Sequence, residues 1–250
     1  MPILDDLLDS LDHTDEPVQN VCTGAFWTAV TSCHTGLSST YRDLDLQHSD
    51  HPCMVKNAGS LAGTPAGELA RYALSDDTVS ASIGIATVNS LIDIPEAQCT
   101  ERNAGELIAE KGSGRNIAVV GHFPFVRRLR DIAANVWVIE KRLRPGDLPE
   151  EEGVKVLPKA DVVCLTSTTL INHTLEGLLQ LCRDSYVVLT GPSSPMTPLL
   201  FDYGIDAISG SRVTHPDTVM RFITEGATFR QVKRHGIRLL TMQKETFKKA

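Results

Sequence analysis

ADVVCLTSTTLINHTLEGLLQ, Ala160 to Gln180, is the stretch on which the reading of this chain turns. A uniformly apolar run, Val162 to Leu165, breaks into four hydroxyl residues, Thr166, Ser167, Thr168 and Thr169, and a helical pattern then runs to Leu181. An apolar run without alternation is a strand covered on both faces, and a helix directly after it makes a βα unit.

The same rhythm continues outward in both directions. Upstream lie a helix near Ala104 to Glu110, the strand NIAVVG (116–121), a helix near Phe125 to Ala134 and the strand VWVIE (136–140); downstream lie YVVLTG (186–191), a helix near Thr197 to Tyr203 and IDAISG (205–210). Short apolar strands alternating with amphipathic helices predict a Rossmann-like, doubly wound and mainly parallel α/β sheet. The segment RLRPGDLPEEEGVKVLP (142–158) interrupts it as a Pro/Gly-rich acidic excursion with no clear helix.

Before residue 97 the pattern differs. Ile3, Leu4, Leu7, Leu8 and Leu11 form one stripe of a first helix, and VQNVCTGAFWTAVTS (18–32) reads as a hairpin followed by a third strand near Leu37 to Tyr41. A polar, Gly-rich stretch from His48 leads to helices at about 65–74 and 77–92, the second capped within Ser75 to Thr78. Its small residues Ala81, Ser82, Gly84 and Ala86 imply close approach to another element. The order β-β-β-α-α is an α+β unit, so two domains are expected, 1–97 and 98–250, with a join anywhere from Asp93 to Arg102.

Composition excludes several classes. With 42% hydrophobic and 22% charged residues the chain is a soluble globular one, and a net charge of −7, from 24 Lys plus Arg against 31 Asp plus Glu, leaves no electrostatic footprint for nucleic acid. The acidic N-terminus is no signal peptide, and no apolar stretch is long enough for a membrane span, so a cytoplasmic location is expected. Six cysteines, Cys22, Cys33, Cys53, Cys99, Cys164 and Cys182, include no C-x-x-C pair; Cys164 and Cys182 read as small core residues.

In open α/β sheets ligands bind beyond the carboxyl ends of the strands. Those ends are GHFPF (121–125), Glu140, TSTTLIN (166–172), GPSSPMTP (191–198) and SGSRVTHP (209–216). Four hydroxyls exceed what one helix cap needs, so Thr168, Thr169 and the helix N-terminus are candidates for an anionic group, with Asn172 and Ser194 orienting it. His173 reads instead as a surface or packing residue. GHFPF is not G-x-G-x-x-G, and its bulky residues disfavour an ordinary NAD or FAD site; His122 is placed for coordination or proton transfer, and Glu140 for a cation, for ribose hydroxyls or for pairing with Lys141 or Arg142. From the first unit the candidates are Trp27, Thr28, Lys56, Asn57 and Asn89. No Ser-His-Asp order, H-E-x-x-H, P-loop or EF-hand occurs.

The succession FWTAV, AGSLAGTPAGELARYALSDDTVSASIGIATVNSLI, VVGHFPF, LPKADVVCLTSTTLINHTLEGLL and LTGPSSPMTPLLFDYGIDAISGSRV resembles the uncharacterised putative heavy-metal chelation domain family. The resemblance runs from about Val18 to Leu240. It implies an enolase N-terminal-like domain before a Rossmann-like one, and a ligand site between them lined by the strand-end loops. Ser167 stands where that family's pattern, TGTTLIN, has glycine. The expected function is binding of a metal ion, metal chelate or anionic metabolite in the interdomain crevice, with His122 and Glu140 as metal ligands and a divalent or transition metal as cofactor. The alternative is a lyase or transferase using a nucleotide-like cosubstrate. Expected partners are a small molecule or metal chelate, neither nucleic acid nor membrane, with a homo-oligomer left open.

Overall fold

The computed structural model describes residues 2–41 and 54–247. The part of the Gly-rich stretch that holds Cys53 lies outside the described residues. Two sheets organise the chain: a three-stranded antiparallel one and a six-stranded one.

The N-terminal unit begins with helix α1 (Pro2–Asp9), followed by strands β1 (Asn20–Thr23), β2 (Trp27–Thr31) and β3 (Thr35–Ser39). Short helix α2 (Ala66–Ala70) runs into a 3-10 turn over 71–74, and α3 (Thr78–Leu91) lies across the sheet. Asp77 caps α3, its carboxylate accepting from Val79 N at 3.3 Å and Ser80 N at 3.0 Å. The small residues of α3 do what their size allows. A Cβ on Gly84 would lie 1.9 Å from Ala73 N, and one on Gly36 of β3 would lie 2.1 Å from Ala86 O, so backbone meets backbone at both places.

The C-terminal unit comprises α4 (Ala104–Gly112), β4 (Asn116–Val120), α5 (Val126–Arg130), β5 (Asn135–Ile139), α6 (Gly153–Val156), β6 (Val162–Thr166), α7 (Thr168–Ile171), α8 (Leu175–Leu181), β7 (Tyr186–Thr190), β8 (Ala207–Val213), α9 (Pro216–Thr224), α10 (Phe229–Val232) and β9 (Ile237–Gln243). Strand order is β5-β4-β6-β7-β8-β9, parallel except for β9. Alternate residues of β6 explain the double winding. Val162 and Cys164 pack with Leu107 and Ile108 of α4 on one face, whereas Val163 and Leu165 pack with Leu170, Ile171 and Leu175 on the other. Each such fully buried aliphatic side chain contributes about 1.5–3 kcal/mol.

Several expected elements change shape. The helix expected from Thr169 to Leu181 breaks at Asn172–Thr174, where Asn172 Oδ1 accepts from the Thr174 hydroxyl at 2.7 Å and His173 takes φ +59°; this local bond competes with the helical one. The segment after Thr197 is a 3-10 helix (198–203) started by Pro198, and α5 is one short turn of the expected 125–134. SGSRV is no loop: β8 continues to Val213 because β9, absent from the sequence reading, pairs with all of it. Among the described residues no helix is long and apolar enough to cross a membrane.

The units are tied together at several points. Arg238 binds Glu101 (Nε to Oε1, 2.8 Å) and Glu96 (Nη1 to Oε2, 2.7 Å) in the segment joining them. His173 Nε2 meets Ala73 O at 2.9 Å, so of the two roles expected for it, surface or packing, it takes the second.

Candidate functional site

The strand order has one topological switch point. From β4 the chain first steps outward to β5 and then returns across to β6, so the loops leaving β4 and β6 diverge and open a crevice at their carboxyl ends. A cavity of about 290 Å³ lies there, lined by Gly121, His122, Phe123, Glu140, Lys141, Thr166, Thr168, Thr169, Asn172 and Thr174, with Tyr41 contributed by the N-terminal unit. Its volume is at the lower bound of the ~300–1,000 Å³ typical of small-molecule sites, which suits a small ligand.

Each wall has a local cause. Gly121 adopts φ +98°, and a Cβ there would lie 3.1 Å from the Thr166 side chain, so glycine lets the β4 loop pass against β6. Beyond it the rings of Phe123 and Phe125 stack at 5.0 Å, and Gly105 of α4 gives room for Phe125. On the β6 side the hydroxyls bond within the loop itself: Thr166 Oγ1 and Thr168 Oγ1 are 3.0 Å apart, and Thr169 Oγ1 donates to the Thr166 backbone O at 2.6 Å. Helix α7 has four residues, too few for the helix-end field expected to hold an anion. What this wall offers a ligand is hydroxyl and amide groups.

Ser167 does not face the cavity. It is 1% exposed, its N donates to Thr190 O at 2.9 Å, and its Oγ would be 2.5 Å from a Cβ on Gly191, which is itself at φ +138°. The Ser167 hydroxyl is packed against the neighbouring strand end.

Of the candidates singled out from the sequence, the cavity brings together His122, Glu140, Thr168, Thr169 and Asn172. Asn89 and Ser194 lie elsewhere. Asn89 Nδ2 donates to Leu37 O at 2.8 Å, fastening α3 to β3. Ser194 is 3% exposed in a loop held against the N-terminal unit by Ser39 N, which donates to Ser193 Oγ at 2.8 Å. Trp27 packs on Phe229 with ring centroids 5.1 Å apart, Thr28 Oγ1 meets Thr40 Oγ1 at 2.9 Å, and Asn57 takes a turn conformation at φ +57°; these and Lys56 are also outside the cavity wall. Glu140 Oε1 accepts from Lys141 N at 2.8 Å, while Lys141 Nζ lies 3.5 Å from Glu150 Oε2.

One residue escaped the sequence reading. Asp147 Oδ2 lies 3.4 Å from His122 Nδ1, and its side chain is 0% exposed. It arrives there through Arg144-Pro145-Gly146-Asp147, a type II turn with Gly146 at φ +89° and Asp147 N donating to Arg144 O at 2.9 Å. The RPGD signature announces the turn, but not its destination.

A metal held by protein alone does not fit the described residues: they contain no group of three or more His, Cys, Asp or Glu side chains able to hold one. Burial, reinforced by Glu96, pushes the Cys99 thiol up to about 11; burial pushes Cys182 up to about 12 and Cys164 well above the ordinary thiol range.

Two family models match the chain, over residues 103–242 and 4–92, and both carry the description "Putative heavy-metal chelation". The chain belongs to that family. An uncharacterized protein of Methanocaldococcus jannaschii is 27% identical over 164 residues, 62% of this chain and 63% of its own length, so the match spans less than two thirds of that relative. A crystal structure of a family member of unknown function from Desulfitobacterium hafniense superposes with a TM-score of 0.83 at 24% identity, covering 97% of this chain and 98% of that one. A second, from Pyrococcus horikoshii, gives 0.79 at 18% identity over 96% and 98%. These two likenesses establish the Rossmann-like layer and its smaller α+β companion. The family's description suggests heavy-metal chelation and names no ligand.

Proposed function

We propose that the protein binds a small anionic metal chelate in the cleft beyond β4 and β6, where the two units face each other. The observation that carries this reading is the composition of the wall: hydroxyl and amide groups from Tyr41, Thr166, Thr168, Asn172 and Thr174 beside one imidazole, His122. A heavy-metal ion alone asks for about four nitrogen, sulfur or oxygen donors from the protein. A chelate brings most of its own. It needs one or two protein donors, here His122 with Glu140, and hydrogen-bond partners for the chelator's oxygens, which the threonines, Asn172 and Lys141 supply. The family's description supports a metal-bearing cargo.

Calorimetry with nickel(II) nitrilotriacetate, which leaves two coordination positions open, tests the reading against aqueous nickel(II). The expected result is one-to-one binding of the chelate, weakened at least ten-fold by His122→Ala. Equal affinity of wild type and variant would remove His122 from the site. Binding of free nickel alone would overturn the chelate.

A further inference from the structure

We infer that Asp147 is a positioning residue for His122: its buried carboxylate fixes the imidazole with the proton on Nδ1 and leaves the Nε2 lone pair to the cleft. Three observations converge. His122 lines the cavity, yet its Nδ1 is buried and has no hydrogen-bond partner of good geometry; the Asp147 carboxylate is buried too, and its Oδ1 is likewise unpaired. Their nearest polar atoms, Nδ1 and Oδ2, are 3.4 Å apart, within ion-pair reach and short of an aligned hydrogen bond. A buried ring nitrogen without a partner, facing a buried carboxylate with one oxygen unpaired, gains by turning into alignment with it.

The carboxylate is held from behind. Arg144 N donates to Asp147 Oδ2 at 3.0 Å, so the turn fastens the same oxygen that faces the ring. The next residue is fastened as well: Leu148 N donates to Val138 O at 2.7 Å and Glu140 N donates to Leu148 O at 3.0 Å, stitching the returning segment along β5. Asp147 is thereby fixed to the sheet that carries His122. An acceptor-only carboxylate at Nδ1 requires a proton there, and a neutral ring then presents Nε2 unprotonated, the form that donates to a cation or accepts a proton.

The role of Nε2 rests on the cleft reading proposed above; the tautomer does not. The test therefore reads the ring without any ligand, by long-range proton–nitrogen correlation spectra of the full-length protein labelled with nitrogen-15. The signal of His122 among the eight histidines is assigned by its loss in His122→Gln. The Nδ1–H tautomer is expected for wild type, and conversion to Nε2–H in Asp147→Ala while the other seven rings stay unchanged. An Nε2–H ring in wild type, or the same tautomer in both proteins, overturns the inference. If Asp147→Ala fails to fold, the wild-type spectrum decides alone. A failed nickel-chelate experiment would leave this result standing, and the converse holds.

Discussion

The loops that leave β4 and β6 and the loop that leaves β7 have similar compositions and opposite fates. GHFPF and TSTTLIN open onto a cleft at the switch point, whereas GPSSPMTP buries Ser193 and Ser194 against the N-terminal unit, with Ser39 N donating to Ser193 Oγ. The difference is one of place. Between β4 and β6 the chain diverges and leaves a gap; beyond β7 the neighbouring β8 is continuous and the first unit sits over the loop. Serine and threonine at a strand end serve equally well as ligand contacts and as mortar between units, and only the topology tells which.

The comparison can be broken by mutation. The largest expected effect is at the joint between backbone and backbone in the first unit: Gly36→Val, forced against Ala86 O and Ser90 N, is expected to cost on the order of 3 kcal/mol or more in a urea melt. Next comes the docking loop. Ser193→Ala leaves Ser39 N without its partner at a part-buried joint and is expected to cost about 1–2 kcal/mol. Asp77→Ala, which removes the cap of α3, should cost about 1 kcal/mol. Smallest is the cleft itself: Thr168→Ala, whose hydroxyl meets only Thr166 within the wall, is expected within about 0.5 kcal/mol of wild type while weakening the nickel chelate. A cleft substitution as costly as Ser193→Ala would erase the distinction between the two loops.

Thiol chemistry sharpens it further. Among the cysteines of the described residues Cys33 is the exposed one, and it is expected to react before Cys22, Cys99, Cys164 and Cys182 with a thiol reagent in the native protein. Cys99, whose thiol is held up to about 11, should stay slow from pH 7 to 9 and quicken only as pH approaches that value, because the reactive thiolate appears above the pKa. Cys164 should react only after unfolding. Rapid native labelling of Cys164 would contradict the core described for β6.

Much of this was legible before the structure. The five parallel strands announce themselves as apolar runs because both faces are covered, and the rule of strand ends led to His122, Glu140, Thr168, Thr169 and Asn172 together. Strand β9 was not legible in the same way: IRLLTMQ mixes exposed Arg238 with buried Leu240 and Met242, as an edge strand does. Asn89 looked like a ligand residue because a buried polar side chain needs a partner, and sequence cannot distinguish a backbone partner from a ligand; Ser194 did because it belongs to a strand-end loop, and sequence cannot tell which of those loops line the cleft. Asp147 was invisible for the opposite reason. Its turn is local, but its value lies in a neighbour 25 positions away, brought close by the return of the chain along β5.

That return along β5 does a second job. Strand β5 is the outermost of its sheet, and Leu148 covers its last backbone groups through a short parallel bridge with Ile139. An uncovered rim of this kind invites strands from other molecules. One short stitch thus guards against self-adhesion and aims an imidazole, so a lesion that loosens Leu148 would produce sticky protein and a misdirected ring together, as a single inherited defect.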